Sequence, residues 1–139
     1  MANAIYPKYK EALLTAGASS ALNGSGTTGV YAVLYDTGVR AYTSTDQFYT
    51  DCSSAFVGTP VEIGATKAYT NGVFDGADVT WTAVSGASCE AIVIYVQNAG
   101  ANTTWRLVAF LDSNVTNLPV TPNGGNITVT WNASGVFSL

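Results

Sequence analysis

Apolar positions in this chain fall mostly into short runs, too brief for long helices and spaced by turn residues. Val30 to Tyr35 and Ala91 to Gln97 are apolar on both faces, the pattern of strands covered on both sides. From Thr103 to Asp112 the chain alternates, with Trp105, Leu107, Ala109 and Leu111 on one side and Arg106, Val108 and Phe110 on the other. Val79, Trp81 and Ala83 alternate with Thr80 and Thr82, and Ile127, Val129 and Trp131 alternate with Thr128, Thr130 and Asn132. Phe56 to Ile63 contains Gly58 and Pro60 and reads as an edge or irregular strand. Lys67 to Thr70 ends at Asn71-Gly72, a strong hairpin signal. Val39 to Thr43 and Val136 to Leu139 are shorter strand candidates.

Two segments read as helical. Pro7 suits a first helical turn, Lys8 to Ala16 are good helix formers, and Gly17 can end the helix. Tyr9 and Leu13 share one face of it, and Lys10 and Leu14 another. A helix this short is marginal alone and must dock on its own sheet or on a neighbouring subunit. Ser44 followed by Gln47 resembles a capping box, which places a second short helix over Thr45 to Cys52. The expected fold is mainly β, an antiparallel β-sandwich or barrel-like domain with a short N-terminal helix. Residues 1–29 are expected as a helical arm with a flexible, Ser- and Gly-rich linker, and residues 30–139 as the β-domain.

Composition narrows the chemistry. The 139 residues are 47% apolar but only 10% charged, well under the roughly 25% usual in globular domains. Five basic residues against nine acidic ones leave a net charge of −4, so no basic patch for nucleic acid is expected. Histidine is absent, which removes Ser-His-Asp and Cys-His arrangements and histidine-ligated zinc. No run approaches the roughly 20 apolar residues of a membrane span, and the N-terminal residues do not read as a secretion signal. The expectation is a chain made in a cytoplasm, with no membrane partner.

Candidate sites are few. Asp36, Asp75, Asp78 and Asp112 lie beside turns, where turn formation is the expected role. A glycosidase-like carboxylate pair would instead make Asp75→Asn or Asp78→Asn abolish an activity. Asp75-Gly-Ala-Asp78 is the most metal-like cluster, but two carboxylates fall short of a calcium shell. No catalytic residue, cofactor or metal is expected, and the chain is not read as an enzyme. Cys52 and Cys89 read as small buried thiols, with a single bridge left open. Sequons such as Asn114-Val-Thr116 and Asn132-Ala-Ser134 read as Asn- and Thr-rich composition. Trp81, Trp105 and Trp131 sit at strand parities that favour the core. Tyr6, Tyr9, Tyr42 and Tyr49 are interface candidates, because interfaces enrich tyrosine.

Four stretches carry a resemblance. They are Thr70-Asn-Gly-Val-Phe-Asp-Gly-Ala-Asp-Val-Thr-Trp-Thr-Ala-Val-Ser85, Glu90-Ala-Ile-Val-Ile-Tyr95, Arg106-Leu-Val-Ala-Phe-Leu-Asp112 and Leu118-Pro-Val-Thr-Pro-Asn-Gly-Gly-Asn-Ile-Thr-Val-Thr-Trp131. With Ala2-Asn-Ala-Ile-Tyr6 through Leu14 and Val30 to Gly38, they resemble a family of small tailed-bacteriophage and prophage virion structural proteins. The chain departs from that pattern over residues 44–60, where many relatives carry a longer, more acidic segment. The resemblance implies a non-enzymatic head decoration (cement) protein on the capsid surface. Its partners would be the major capsid protein and itself, as a homotrimer. The alternative is a tail, neck or head-fibre component acting as an adhesive, receptor-binding module, where a glycan ligand becomes conceivable. Ile5, Tyr6, Lys8, Tyr9 and Leu13 are the expected partner-contact residues, and deleting residues 1–17 is expected to leave the β-core folded.

Overall fold

The two doubly apolar runs build the centre of the largest sheet. In the computed structural model, which describes residues 3–64 and 66–139, they form β2 (Val30–Tyr35) and β7 (Ala91–Val96). These two strands pair antiparallel along their full length. On the other side of β7 lies β8 (Arg106–Leu111), and all six residues of each of β7 and β8 are buried. β3 (Phe56–Glu62) closes one edge beside β2, with the register shifting between Ala32 and Leu34. That matches an irregular edge strand carrying Gly58 at φ +73. The opposite edge is β1 (Ala4–Ile5), antiparallel to β8, so the order is β1-β8-β7-β2-β3.

Two smaller antiparallel sheets complete the domain. β4 (Ala68–Thr70) and β5 (Val73–Asp75) form a hairpin over Asn71-Gly72, both with positive φ, and β10 (Phe137–Ser138) adds to β5. β6 (Val79–Trp81) pairs with β9 (Ile127–Val129). Phe74, Val79, Trp81, Ile127 and Val129 from these sheets join the buried cluster built on the large one. The fold is thus mainly β, with three antiparallel sheets and two short α-helices among the described residues. It is not a closed barrel, since β1 and β3 remain as edges.

The faces of the main sheet differ in chemistry. Val30, Ala32 and Leu34 stand directly opposite Val96, Ile94 and Ile92, giving one aliphatic face. On the other, nine rings are linked in one run: Tyr31, Tyr95, Trp105, Tyr49, Phe56, Tyr35, Phe110, Tyr42 and Tyr6, with successive centroids 4.9 to 6.0 Å apart. Edge-to-face and offset contacts at such spacings add to the burial of each ring.

The helices are shorter than the sequence predicts. α1 (Pro7–Leu14) ends in a Schellman turn, with Gly17 N donating to Ala12 O at 2.7 Å and Ala16 N to Leu13 O at 3.4 Å. The left-handed residue is Ala16, at φ 50, so Gly17 is not the capping position. α2 is the single turn Tyr49–Cys52. Its cap is the Asp51 carboxylate, whose Oδ2 accepts Gln47 N at 2.8 Å and Phe48 N at 2.9 Å, in place of the expected Ser44 and Gln47 pair.

Two expected strands also change. Val39 to Thr43 is a loop, because Asp36 Oδ1 accepts Gly38 N and Val39 N and bends the chain there. β6 stops at Trp81, since Ala83 takes φ 50 and is exposed rather than aligned with Val79 and Trp81.

Candidate functional site

α1 docks on its own sheet, one of the two surfaces the sequence left open. Tyr6 N donates to Val108 O at 3.0 Å, continuing the β1–β8 ladder into the helix. Tyr9 and Ala12 form the buried face of α1. The segment after the helix is tied down as well. Tyr9 Oη donates to Ser20 O at 2.8 Å, and Arg106 Nε donates to Ala18 O at 3.0 Å while its guanidinium covers the Phe48 ring. Farther along, Gly26 N donates to Glu62 Oε1 and Lys67 Nζ to Gly24 O.

This packing sorts the expected contact residues. Tyr6 and Tyr9 are buried among the core side chains, and burial pushes both phenols above their ordinary range. They present no surface to a partner. Ile5 is half-buried in β1, and Lys8 pairs with Glu11 at 2.7 Å. Leu13 faces outward, not onto the sheet beside Tyr9, because the helix rests on Tyr9 and Ala12, three residues apart. Its neighbour Leu14 is the most exposed large apolar residue described, at 87%. The outer end of α1 is therefore an apolar knob of Leu13 and Leu14 on a locked base. Leu14 was not among the expected contacts, although its place opposite Tyr9 on the helical wheel was the signal for it. Tyr42 and Tyr49, the other interface candidates, belong to the aromatic run and are half-buried.

The acidic residues serve the backbone. Asp75 Oδ1 accepts Gly76 N, and Asp78 Oδ1 accepts Trp131 N, both at 2.9 Å. Asp46 is buried against Arg40. Glu90 Oε2 accepts Thr37 N at 2.9 Å and Thr37 Oγ1 at 3.0 Å. Among the described residues no group of three or more His, Cys, Asp or Glu is placed to hold a metal ion. Cys52 and Cys89 are free, buried thiols. Burial pushes Cys52 up to about 12, aided by nearby Asp46, and Cys89 up to about 11, aided by Glu90. Neither has the depressed pKa of a nucleophile.

Of the tryptophans, Trp81 is fully buried while Trp105 and Trp131 are half-buried. Among the described residues no helix is long and apolar enough to cross a membrane. No protein-family model matches the chain, and no curated protein matches it.

Proposed function

We propose that this chain is a structural component of a tailed-bacteriophage virion, a decoration protein that binds the outer capsid lattice as a homotrimer. The resemblance of the segments around β5–β6, β7, β8 and β9 to small virion proteins supports this reading. The structural observation that carries it is the Leu13–Leu14 knob. An exposed apolar pair on an element whose inner face is fixed by Tyr9 and Ala12 loses little conformational freedom on docking. One such contact is weak, but repetition through a trimer and a lattice multiplies it.

The test is co-sedimentation of the purified protein with phage heads that lack it. Saturable binding is expected, and Leu14→Asp should weaken it at least about tenfold, the loss of one well-packed apolar contact. The variant's melting temperature should be unchanged, because Leu14 is exposed. Deleting residues 1–17 would not serve, since it removes Tyr6 and Tyr9 from the core. Absence of binding, or density only at the neck or tail in particle reconstructions, overturns the decoration reading and favours the adhesive alternative.

A further inference from the structure

We propose that the cleft beside Trp131, between the end of β8 and the turn that joins β9 to β10, binds a neutral saccharide. It is a different surface from the α1 knob, and the inference does not rest on the decoration reading.

The cleft consists of two adjoining cavities of about 210 and 250 Å³, which share Asn3, Leu111 and Val136 as walls. Among the described residues no charged side chain lines either one. Trp131 lines the first. Its ring is held at one edge, where Nε1–H donates to Ala77 O at 2.8 Å, and its backbone N–H is held by Asp78. Leu111 and Val136 supply aliphatic wall.

The polar groups fall into two kinds. Asn3 is mostly occupied: Oδ1 accepts Asp112 N and Ser113 N at 2.9 Å, and Nδ2 donates to Ser113 O at 3.1 Å, which leaves one Nδ2–H. It chiefly shapes the wall. By contrast, the Asn114 amide and the Thr130 hydroxyl make no hydrogen bond to any described residue. Asn132 uses only Oδ1, on Ser134 N at 2.8 Å, which leaves its Nδ2 donors. Asn114 sits at φ 57, a left-handed conformation that asparagine tolerates better than most residues. One fixed aromatic ring, the unpaired Asn114 amide, the Nδ2 donors of Asn132 and a hydroxyl thus surround a space that no described charged side chain lines.

That donor and acceptor set selects a ligand class. An anion or cation would find no counter-charge among the described lining residues. A purely apolar ligand would leave the amides unpaired, and desolvating them without partners is costly. A sugar ring offers an apolar C–H face for the indole and hydroxyls that donate and accept at once, which suits primary amides. Each cavity is smaller than the roughly 300 Å³ at which pockets for drug-sized ligands begin. One ring therefore fits beside Trp131, and a second can extend along the Ile5–Phe137 side.

The experiment is saturation-transfer NMR on the full chain. The probes are methyl glycosides of glucose, galactose, mannose, N-acetylglucosamine and rhamnose, with glucuronate as the charged control. Transfer to at least one neutral glycoside and none to glucuronate is expected. Asn114→Gly, which keeps the left-handed backbone, and Thr130→Val should each weaken binding about tenfold, the effect of losing one hydrogen bond to a ligand. Trp131→Ala should abolish it. Trp131 also packs against the core, so if that variant does not fold, the two polar substitutions decide the matter. Silence across the whole panel from folded protein overturns the proposal, as does transfer that both polar variants leave unchanged.

Discussion

Arg40 holds Asp46 with both terminal nitrogens: Nη2 donates to Oδ1 at 2.9 Å while Nη1 donates to Oδ2. The carboxylate is 6% exposed, whereas the arginine side chain retains contact with solvent. The hydrogen bonds it donates to Asp46 raise the arginine's pKa above its ordinary value. The pair pins the loop over residues 36–48 across the aromatic face of the main sheet. Arg40→Leu should cost about 3 kcal/mol, because it strands a buried carboxylate. Arg40→Leu with Asp46→Leu should recover at least half of that loss. Urea unfolding at pH 7 measures both, and equal losses in the single and double variants would show that loop packing, not charge, sets the cost.

Ala16 sits in the left-handed region at the end of α1, in the position where most helices of this type place glycine. It is exposed, so nothing packs on its methyl group. Ala16→Gly should therefore stabilise the protein by about 0.5–1 kcal/mol, since relief of the left-handed strain outweighs the greater freedom glycine gains in the unfolded chain. A lower thermal midpoint for this variant would contradict the assignment of Ala16 as the cap.

Trp81 Nε1 is buried and has no hydrogen-bond acceptor among the described residues. Replacing the ring by phenylalanine removes this unpaired donor along with some packing. The two effects oppose each other, at about 1–3 kcal/mol each. Trp81→Phe should change stability by less than about 1 kcal/mol, whereas Trp81→Ala should cost about 3–5 kcal/mol. Chemical denaturation of the two variants side by side separates a cost of polarity from a cost of volume.

Alkaline pH should unfold the protein through its buried acids. Unfolded thiols ionise near 9.0, but burial holds Cys52 protonated to about 12 and Cys89 to about 11. The phenols of Tyr6, Tyr9 and Tyr95 are raised in the same way, again by burial. Between the unfolded and folded pKa values the unfolded chain binds fewer protons, so stability falls as pH rises. It should be flat up to about pH 8.5 and decline steeply above pH 9. Cys52→Ala should flatten the decline without abolishing it. A thiol reagent at pH 7.5 should label neither cysteine until denaturant is added, and prompt labelling of the native protein would overturn this account.

The central strands were legible in the sequence because β2 and β7 are short apolar runs bounded by turn residues and β8 alternates between two largely apolar sides, signals local to each segment. Pro60 and Gly58 announced an edge, and Asn71-Gly72 announced a hairpin, for equally local reasons. The inner face of α1 was not legible in full. Tyr9 pairs with Leu13 or with Ala12 at equally good helical spacings, and only the angle at which the helix meets β8 decides between them. The tyrosines misled for a related reason. A phenol can end up inside when an acceptor is waiting, as Ser20 O is for Tyr9, and that acceptor lies eleven residues away across a turn. The cleft beside Trp131 draws on residues 3, 111, 113–115, 130–132, 135 and 136. Asn114 and Asn132 are visible in the sequence only as members of sequons, and no periodicity joins them to Asn3.

The pairing of Ala4 with Phe110 and of Ile5 with Ala109 sets an order of events during synthesis. β1 leaves the ribosome before its partner β8, which is made more than a hundred residues later. Until then Tyr6 and Tyr9 have no sheet to cover, and α1 is too short to persist alone. Loop closure over that span is slow relative to the hairpins that form within residues 68–75. The nascent chain thus carries an uncovered aromatic segment until β8 has emerged.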